Sequence, residues 1–385
     1  PRSTWKDYDA ALISTGGGVF ARTMKSIPLS PEVRRVLQVE DEEMTPNQVI
    51  RMLLKAPVDL LWNGGIGTYV KASSEHNNDV GDRANDGVRV DGGDLRCRVV
   101  GEGGNLGLTQ LGRIEFSQSG GRVQTDAIDN SAGVDCSDHE VNIKILLNQV
   151  LANGDMTQKQ RNEMLANMTD EVATLVLRNN YLQTQALSLA SQQTSSMIDV
   201  QARLMNALES AGKLTREIEF LPDKVEIEER RENNRGLTLP ELSVLMGYVK
   251  LALYDELLDS TLPDTRYFAE DLVAYFPSQL RATFGDIVPS HRLARQIICT
   301  IVTNEVVNRA GSTFVFRLAE ETGVEPADIV RAYVVAREVF AQKEIWERIE
   351  ALDNVVDARI QADMLLEGRK LVERAARWFV RNRPQ

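Results

Sequence analysis

Residues 99–144 read VVGEGGNLGLTQLGRIEFSQSGGRVQTDAIDNSAGVDCSDHEVNIK, and this stretch decides what kind of fold the chain builds. A short apolar run, residues 97–100, drops straight into Gly101-Glu102-Gly103-Gly104-Asn105. A buried strand that ends in glycines and an amide places main-chain donors and small side chains where a ligand must approach closely. Residues 113–118 and 122–125 flank Ser119-Gly120-Gly121 and read as a hairpin or strand pair around a glycine turn. After Asp126-Ala127-Ile128-Asp129-Asn130-Ser131-Ala132-Gly133 the pattern becomes helical. Ser137-Asp138-His139-Glu140 has the Ser-x-x-Glu spacing of a capping box, with Val141, Ile145 and Leu146 following at helical intervals, so a helix is expected to open at Ser137.

Two more apolar runs upstream end the same way. Residues 58–62 (VDLLW) enter Gly64-Gly65-Ile66-Gly67, and residues 9–14 (DAALIS) enter Gly16, Gly17 and Gly18. Between them Thr45 precedes Pro46 as an N-cap before a proline at the first helical position, with Val49, Ile50, Leu53 and Leu54 on one face. Three strands that each meet a glycine cluster, with a helix between the first two, predict an α/β fold with a doubly wound parallel sheet whose ligands lie beyond the strand C-terminal ends. Residues 71–94 are polar and read as a solvated loop tied by internal ion pairs; a Mg²⁺ or Ca²⁺ site is the alternative, but the spacing is not that of an EF-hand and no metal is assigned.

Beyond Gly154 glycine becomes rare and helical signals dominate. Thr157 and Gln160 form a second capping box before a long helix expected to reach Ser191. Thr238-Leu239-Pro240-Glu241 is a third, with Leu242, Leu245, Met246, Val249 and Leu253 on the apolar side of its helix. Residues 223–235 are a mixed charge run, read as an exposed helix end or connector. The expected organisation is residues 1–153 as part of a Rossmann-like doubly wound sheet and residues 154–385 as an all-α C-terminal domain.

Composition narrows the function. The 385 residues carry a formal net charge of −12, so the chain lacks the clustered Lys and Arg that a nucleic-acid partner requires. Cys97, Cys136 and Cys299 are widely spaced and show no CxxC pair, which suggests neither a disulfide framework nor a zinc site and fits a reducing cytoplasm. No apolar run approaches the roughly eighteen residues of a membrane span. The opening Pro1-Arg2-Ser3-Thr4-Trp5 is neither a methionine nor a signal peptide, and the chain is expected to be a piece of a longer one.

EGGN followed by DNSAGVDCSDHE resembles the glutamate dehydrogenase family, whose pattern is EGAN followed by NAGGVTVSYFE. Residues 60–147 are most similar to the very large bacterial NAD-specific members. The resemblance implies NAD as cofactor, L-glutamate and 2-oxoglutarate as substrate and product, and a homo-oligomer. It implies that Asn105 contacts the nicotinamide end of the cofactor and that Asn130 lies between nicotinamide and substrate. Ser137 would contact the substrate side-chain carboxylate, although capping alone also explains a serine there. Gly103 and Gly104, with Gly64, Gly65 and Gly67 on the adenosine side, would line the cofactor. Asp126 and Asp129 are alternatives for the polar role, or ordinary Asx turns.

His76, His139 and His291 stand apart from any nucleophile arrangement; His139 is read as solvent-facing, and Cys136 as a small buried residue. The family's catalytic lysine and aspartate, its GxGxxG fingerprint and its ribose-binding acid find no match, so no catalytic residue is assigned within this chain and they are expected upstream. Two other readings stay open: a non-catalytic helical assembly module with a degenerate nucleotide fold, and a dehydrogenase for an apolar amino acid.

Overall fold

Helix starts are fixed by side chains that satisfy the free amides of a first turn, and several sit where the sequence places them. Thr45 and Gln48 close a capping box on one helix, and Thr157 and Gln160 close another. In this computed structural model residues 3–382 are described, so Pro1 and Arg2 of the opening stretch lie outside the described residues. The chain divides into two compact units, Pro1–Asn130 with Thr238–Pro240, and Ser131–Leu237 with Glu241–Gln385. It is mostly helical, with small parallel sheets confined to the first unit.

In the first unit, β1 (Ile27–Pro28) pairs antiparallel with β2 (Glu43–Met44) across α1 (Pro31–Leu37), and α2 (Pro46–Leu54) follows. The order continues with β3 (Leu60–Asn63), β4 (Val70–Lys71), α3 (Asn77–Val80), β5 (Val90–Asp91), β6 (Val99–Glu102), α4 (Gln110–Gln118) and α5 (Asp126–Asp129). β3 and β6 are parallel, with Leu60 opposite Val99 and Asn63 opposite Glu102. On the other side of β6 the chain at Arg122 makes one further parallel bridge to Val99. β4 and β5 form a second parallel pair. Val70, Val90, Val100, Leu108, Phe116 and Val123 close the core beneath them.

Three local expectations are corrected here. Residues 9–14 do not form a strand: the Asp9 carboxylate accepts from the Ala11 amide and folds Ala10–Leu12 into a 3₁₀ turn with Leu12 exposed. The first arm of the expected hairpin is instead part of α4, capped by Thr109, whose Oγ1 accepts from Gly112 N–H at 3.0 Å, and in the second arm only Arg122 bridges, in parallel, to Val99. Gly112, Arg113, Ile114 and Phe116 are all buried on that helix, so the burial wraps it and hides the one-sided period that marks a helix in sequence. Residues 71–94 are tied by ion pairs but are not merely solvated, because Arg89 is buried and reaches Thr68 O, Asn77, Asp82 and Asp86.

The second unit runs through α6 (Ala132–Ala152), α7 (Gln158–Asn167), α8 (Thr169–Gln192), α9 (Thr194–Ser210), α10 (Lys224–Glu232) and, from Glu241 on, α11 (Leu239–Leu258). It continues with α12 (Ala269–Tyr275), α13 (Ser278–Phe284), α14 (Ala294–Ala310), α15 (Phe314–Thr322), α16 (Pro326–Val339), α17 (Gln342–Glu350) and α18 (Ala358–Arg381). The long helix expected from Thr157 breaks at Met168, whose buried side chain separates α7 from α8. α14 is central: it packs on α8, α12 and α18, and buries Ile297, Cys299, Val302 and Val306. The apolar side read for α11 is buried at Leu242, Leu245, Met246, Val249 and Leu253. Among the described residues no helix is long and apolar enough to cross a membrane.

Candidate functional site

β3 and β6 end side by side, and both run into glycine loops. The loops touch: Gly104 N–H donates to Asn63 O at 2.9 Å, and a Cβ on Gly104 would strike the Gly65 carbonyl oxygen. A Cβ on Gly103 would lie 2.6 Å from the Trp62 ring. These two glycines are therefore needed for the loops to pack, quite apart from any ligand. Gly67 adopts a φ of +123°, which a side chain rarely tolerates. Gly65 differs, since a Cβ there would meet nothing within 4 Å: its carbonyl packs on Gly104 and its N–H donates to Asn63 Oδ1 at 3.4 Å, but the side a side chain would occupy is open. Gly64 lies beside the Trp62 indole.

A buried ion pair underpins the second loop. Glu102 is fully buried and takes both prongs of Arg113, Nε to Oε2 at 2.6 Å and Nη2 to Oε1 at 2.9 Å. Its Oε1 also accepts from Leu108 N–H at 3.0 Å. Asp126 stands 3.3 Å from Arg113 Nη2 and accepts from the amide of Leu106, a residue held at a φ of +56°. Asp129 accepts from Glu102 N–H at 2.9 Å. Two carboxylates thus contact one guanidinium with a third close behind, and burial, together with the neighbouring Glu102 charge, pushes the Asp129 carboxyl up to about 6. Asp126 and Asp129 are loop clamps and not isolated turns. The sequence offers one signal for the Glu102–Arg113 pair, the glutamate inside EGGN; Arg113 lies in a segment whose pattern predicts a strand.

Asn105 and Asn130, twenty-five positions apart, are brought together. Asn130 Nδ2 donates to Asn105 Oδ1 at 2.6 Å, with Asn105 exposed at the loop tip and Asn130 closing α5. At the end of β3, Asn63 Nδ2 is buried with no hydrogen-bond partner among the described residues.

Ser137 is not a helix cap. α6 begins five residues earlier, and Ser137 lies exposed in its second turn, its Oγ donating to Gly133 O at 3.2 Å. The Ser-x-x-Glu spacing occurs equally inside a helix; capping also requires extended backbone at the serine, which is absent here. The residue that precedes α6 is Ser131, and its Oγ accepts from Asn180 and Gln183 of α8 at 3.0 and 2.8 Å. Two neighbours are corrected with it. His139 is buried and stacked on Tyr275, with burial pulling its ring below the ordinary histidine range, and Cys136 is exposed. Among the described residues no cluster of three or more His, Cys, Asp or Glu could hold a metal ion.

With this geometry in place, the comparisons are specific. Residues 1–190 match the family model for the bacterial NAD-glutamate dehydrogenase catalytic domain, and residues 234–385 match the model for the glutamate dehydrogenase C-terminal region. The NAD-specific glutamate dehydrogenase of Pseudomonas aeruginosa is 54% identical over 383 residues, covering 100% of this chain and 24% of that protein. The protein of the same name from Halomonas elongata is 51% identical with the same coverage, and that from Mycobacterium tuberculosis is 49% identical over 391 residues. The chain spans about a quarter of the length of these curated relatives, 24% in each case. Two matching models and relatives at about half identity along the entire chain place it in one family: this chain belongs to the large bacterial NAD-specific glutamate dehydrogenases.

Proposed function

We propose that the polypeptide containing this chain converts L-glutamate, NAD and water to 2-oxoglutarate, ammonia and NADH, and that this chain supplies the cofactor-side half of the site. The observation that carries the reading is the Asn105–Asn130 amide pair at the end of two parallel strands. Those are the two positions at which the family pattern carries its nicotinamide-side and bridging asparagines.

The residues suit a dinucleotide. The side of Gly65 that a side chain would occupy is open to approach, while Gly64, Gly67, Gly103 and Gly104 keep the loops thin. NAD, when bound, supplies the hydride acceptor. Asn105 and Asn130 orient the amide-bearing end against substrate, with Asp126 and Asp129 holding their loop in place. Ser137, exposed on α6, donates a hydrogen bond to the substrate side-chain carboxylate. The groups that move the substrate proton are not assigned within this chain.

Residues 1–153 act in this reading as the distal part of a Rossmann-like domain, and residues 154–385 as an all-α C-terminal domain. Support comes from the β3–β6 sheet, where Leu61 and Val100 enter the core while Leu60, Trp62 and Val99 are exposed on the opposite face. Parallel sheets are covered on both faces, so that face suits the helices of a doubly wound sheet. Three free cysteines suit a reducing cytoplasm, and the long helices suit a homo-oligomer.

The test is NADH formation from L-glutamate by the longest natural polypeptide that contains this chain. Turnover with glutamate and NAD is expected, with little from leucine or with NADP. Folded, full-length material without turnover would remove the reading in favour of a non-catalytic module.

A further inference from the structure

In the helical unit, α8, α9, α11, α14, α15 and α18 enclose a cavity of about 330 Å³, within the size range of small-molecule sites. One wall is apolar, made by Leu187, Leu245, Met246 and Leu366. The other presents Arg317, Arg369, Lys370, Arg374 and Arg377, with Glu373 as the carboxylate among them. Such a surplus is unusual in a chain of net charge −12.

Glu373 is already spent. Arg317 takes both of its oxygens, at 2.8 and 2.7 Å, and Arg377 Nη2 shares one at 2.9 Å. Lys370 turns to Glu367, and Arg377 Nε to Glu321. Arg369 is left over. Its Nε donates to the Arg309 carbonyl at 3.0 Å, but its Nη2 is sealed from solvent with no hydrogen-bond partner among the described residues. Burial pulls this guanidinium down to about 10, so it remains charged at neutral pH. Arg374, exposed on α18, lines the same cavity and makes no ion pair among the described residues. A buried donor on a charged group without an acceptor is costly, and a guanidinium recognises an oxyanion through its planar fork.

We infer that this cavity is a binding site for a small organic oxyanion with an apolar body, a carboxylate or a phosphate monoester, held by Arg369 and Arg374 with its body against Leu187 and Leu245. The site is built from helices of the second unit alone and does not depend on the dehydrogenase chemistry.

Titration calorimetry of the longest natural polypeptide with hexanoate, hexyl phosphate and hexan-1-ol tests this. Saturable binding of one anion is expected, with hexan-1-ol at least about tenfold weaker; whichever anion binds more tightly identifies the source. Arg369→Met should weaken that binding by about tenfold or more. The proposal falls if neither anion saturates, if hexan-1-ol binds as well, or if Arg369→Met binds unchanged. Should that variant not fold, Ala190→Leu fills the cavity without touching a charge and should abolish binding; retained binding there overturns the proposal equally.

Discussion

Arg113 in the first unit and Arg369 in the second are both guanidiniums withdrawn from water, and their surroundings balance charge in opposite senses. Around Arg113 there is an excess of carboxylate: Glu102 grips it with two bonds, Asp126 adds a third contact, and Asp129 sits behind. Around Arg369 there is an excess of cation, with Glu373 shared out before Arg369 is reached. The difference matters because the two excesses relax differently. Surplus carboxylate can take up a proton, as the raised Asp129 does near pH 6. A guanidinium cannot give one up at neutral pH, so its surplus calls for an anion from outside. The first arrangement is self-contained and suits holding a loop still; the second is open-ended and suits a ligand.

The harshest way to break the first arrangement is Glu102→Gln. It removes the partner that grips Arg113 with two bonds but leaves Asp126 at 3.3 Å, so the expected cost lies toward the lower end of the roughly 3–5 kcal/mol for breaking a buried pair from one side. The expected outcome is loss of hydrogen-exchange protection across residues 99–130, with turnover lost alongside. Unchanged protection would mean that the pair is not what holds the EGGN loop.

Next in size is Asn130→Ala, which leaves the ion pair intact and removes the Asn105 partner. A fall of about 10- to 100-fold in kcat/KM is expected from losing one orienting group, with little change in stability. A variant with full kcat/KM would detach the amide pair from catalysis and leave it a surface contact.

Why the first region was more legible than the second follows from how each is encoded. The strand-to-glycine transitions at residues 58–67 and 97–105 are local, and so are the caps at Thr45 and Thr157; each is a few adjacent residues obeying one rule. The capping box at Ser137 misled because a four-residue spacing carries no information about backbone angles. α4 was hidden because it is buried on several sides, and with it the Glu102–Arg113 pair. The cavity cations come from α15 and α18, more than fifty residues apart at Arg317 and Arg369, and in sequence Arg369, Glu373 and Arg377 look like a solvated helix face. Only the packing of six helices turns that face inward.

Asp129→Asn sharpens the comparison through pH. The Asp129 carboxyl rises from an ordinary 3.8 to about 6 in the fold, so the fold prefers its protonated form. That preference is fully present below about pH 4 and is lost as the pH rises through 6, where the unfolded chain has already released the proton. Asparagine can still accept from Glu102 N–H and carries no charge, so the variant should lack that decline in stability between pH 4 and 6. Denaturant titrations at several pH values across this window report it, and an equal slope in both proteins would show that Asp129 ionises freely in the native state.

The smallest stability effect is expected at Ser137, where it separates structure from function most cleanly. The hydroxyl is exposed and bonds only to a carbonyl one turn back in its own helix, so Ser137→Ala should change stability by no more than about 0.5 kcal/mol, with alanine the better helix former. If the Ser137 hydroxyl meets the substrate side-chain carboxylate, the alanine variant should raise KM for L-glutamate several-fold, by about 1 kcal/mol, while KM for NAD stays fixed. Ser137→Val, which also places an apolar methyl against the carboxylate, should raise it further. Unchanged KM in both variants would show that the Ser137 hydroxyl does not meet the substrate side-chain carboxylate.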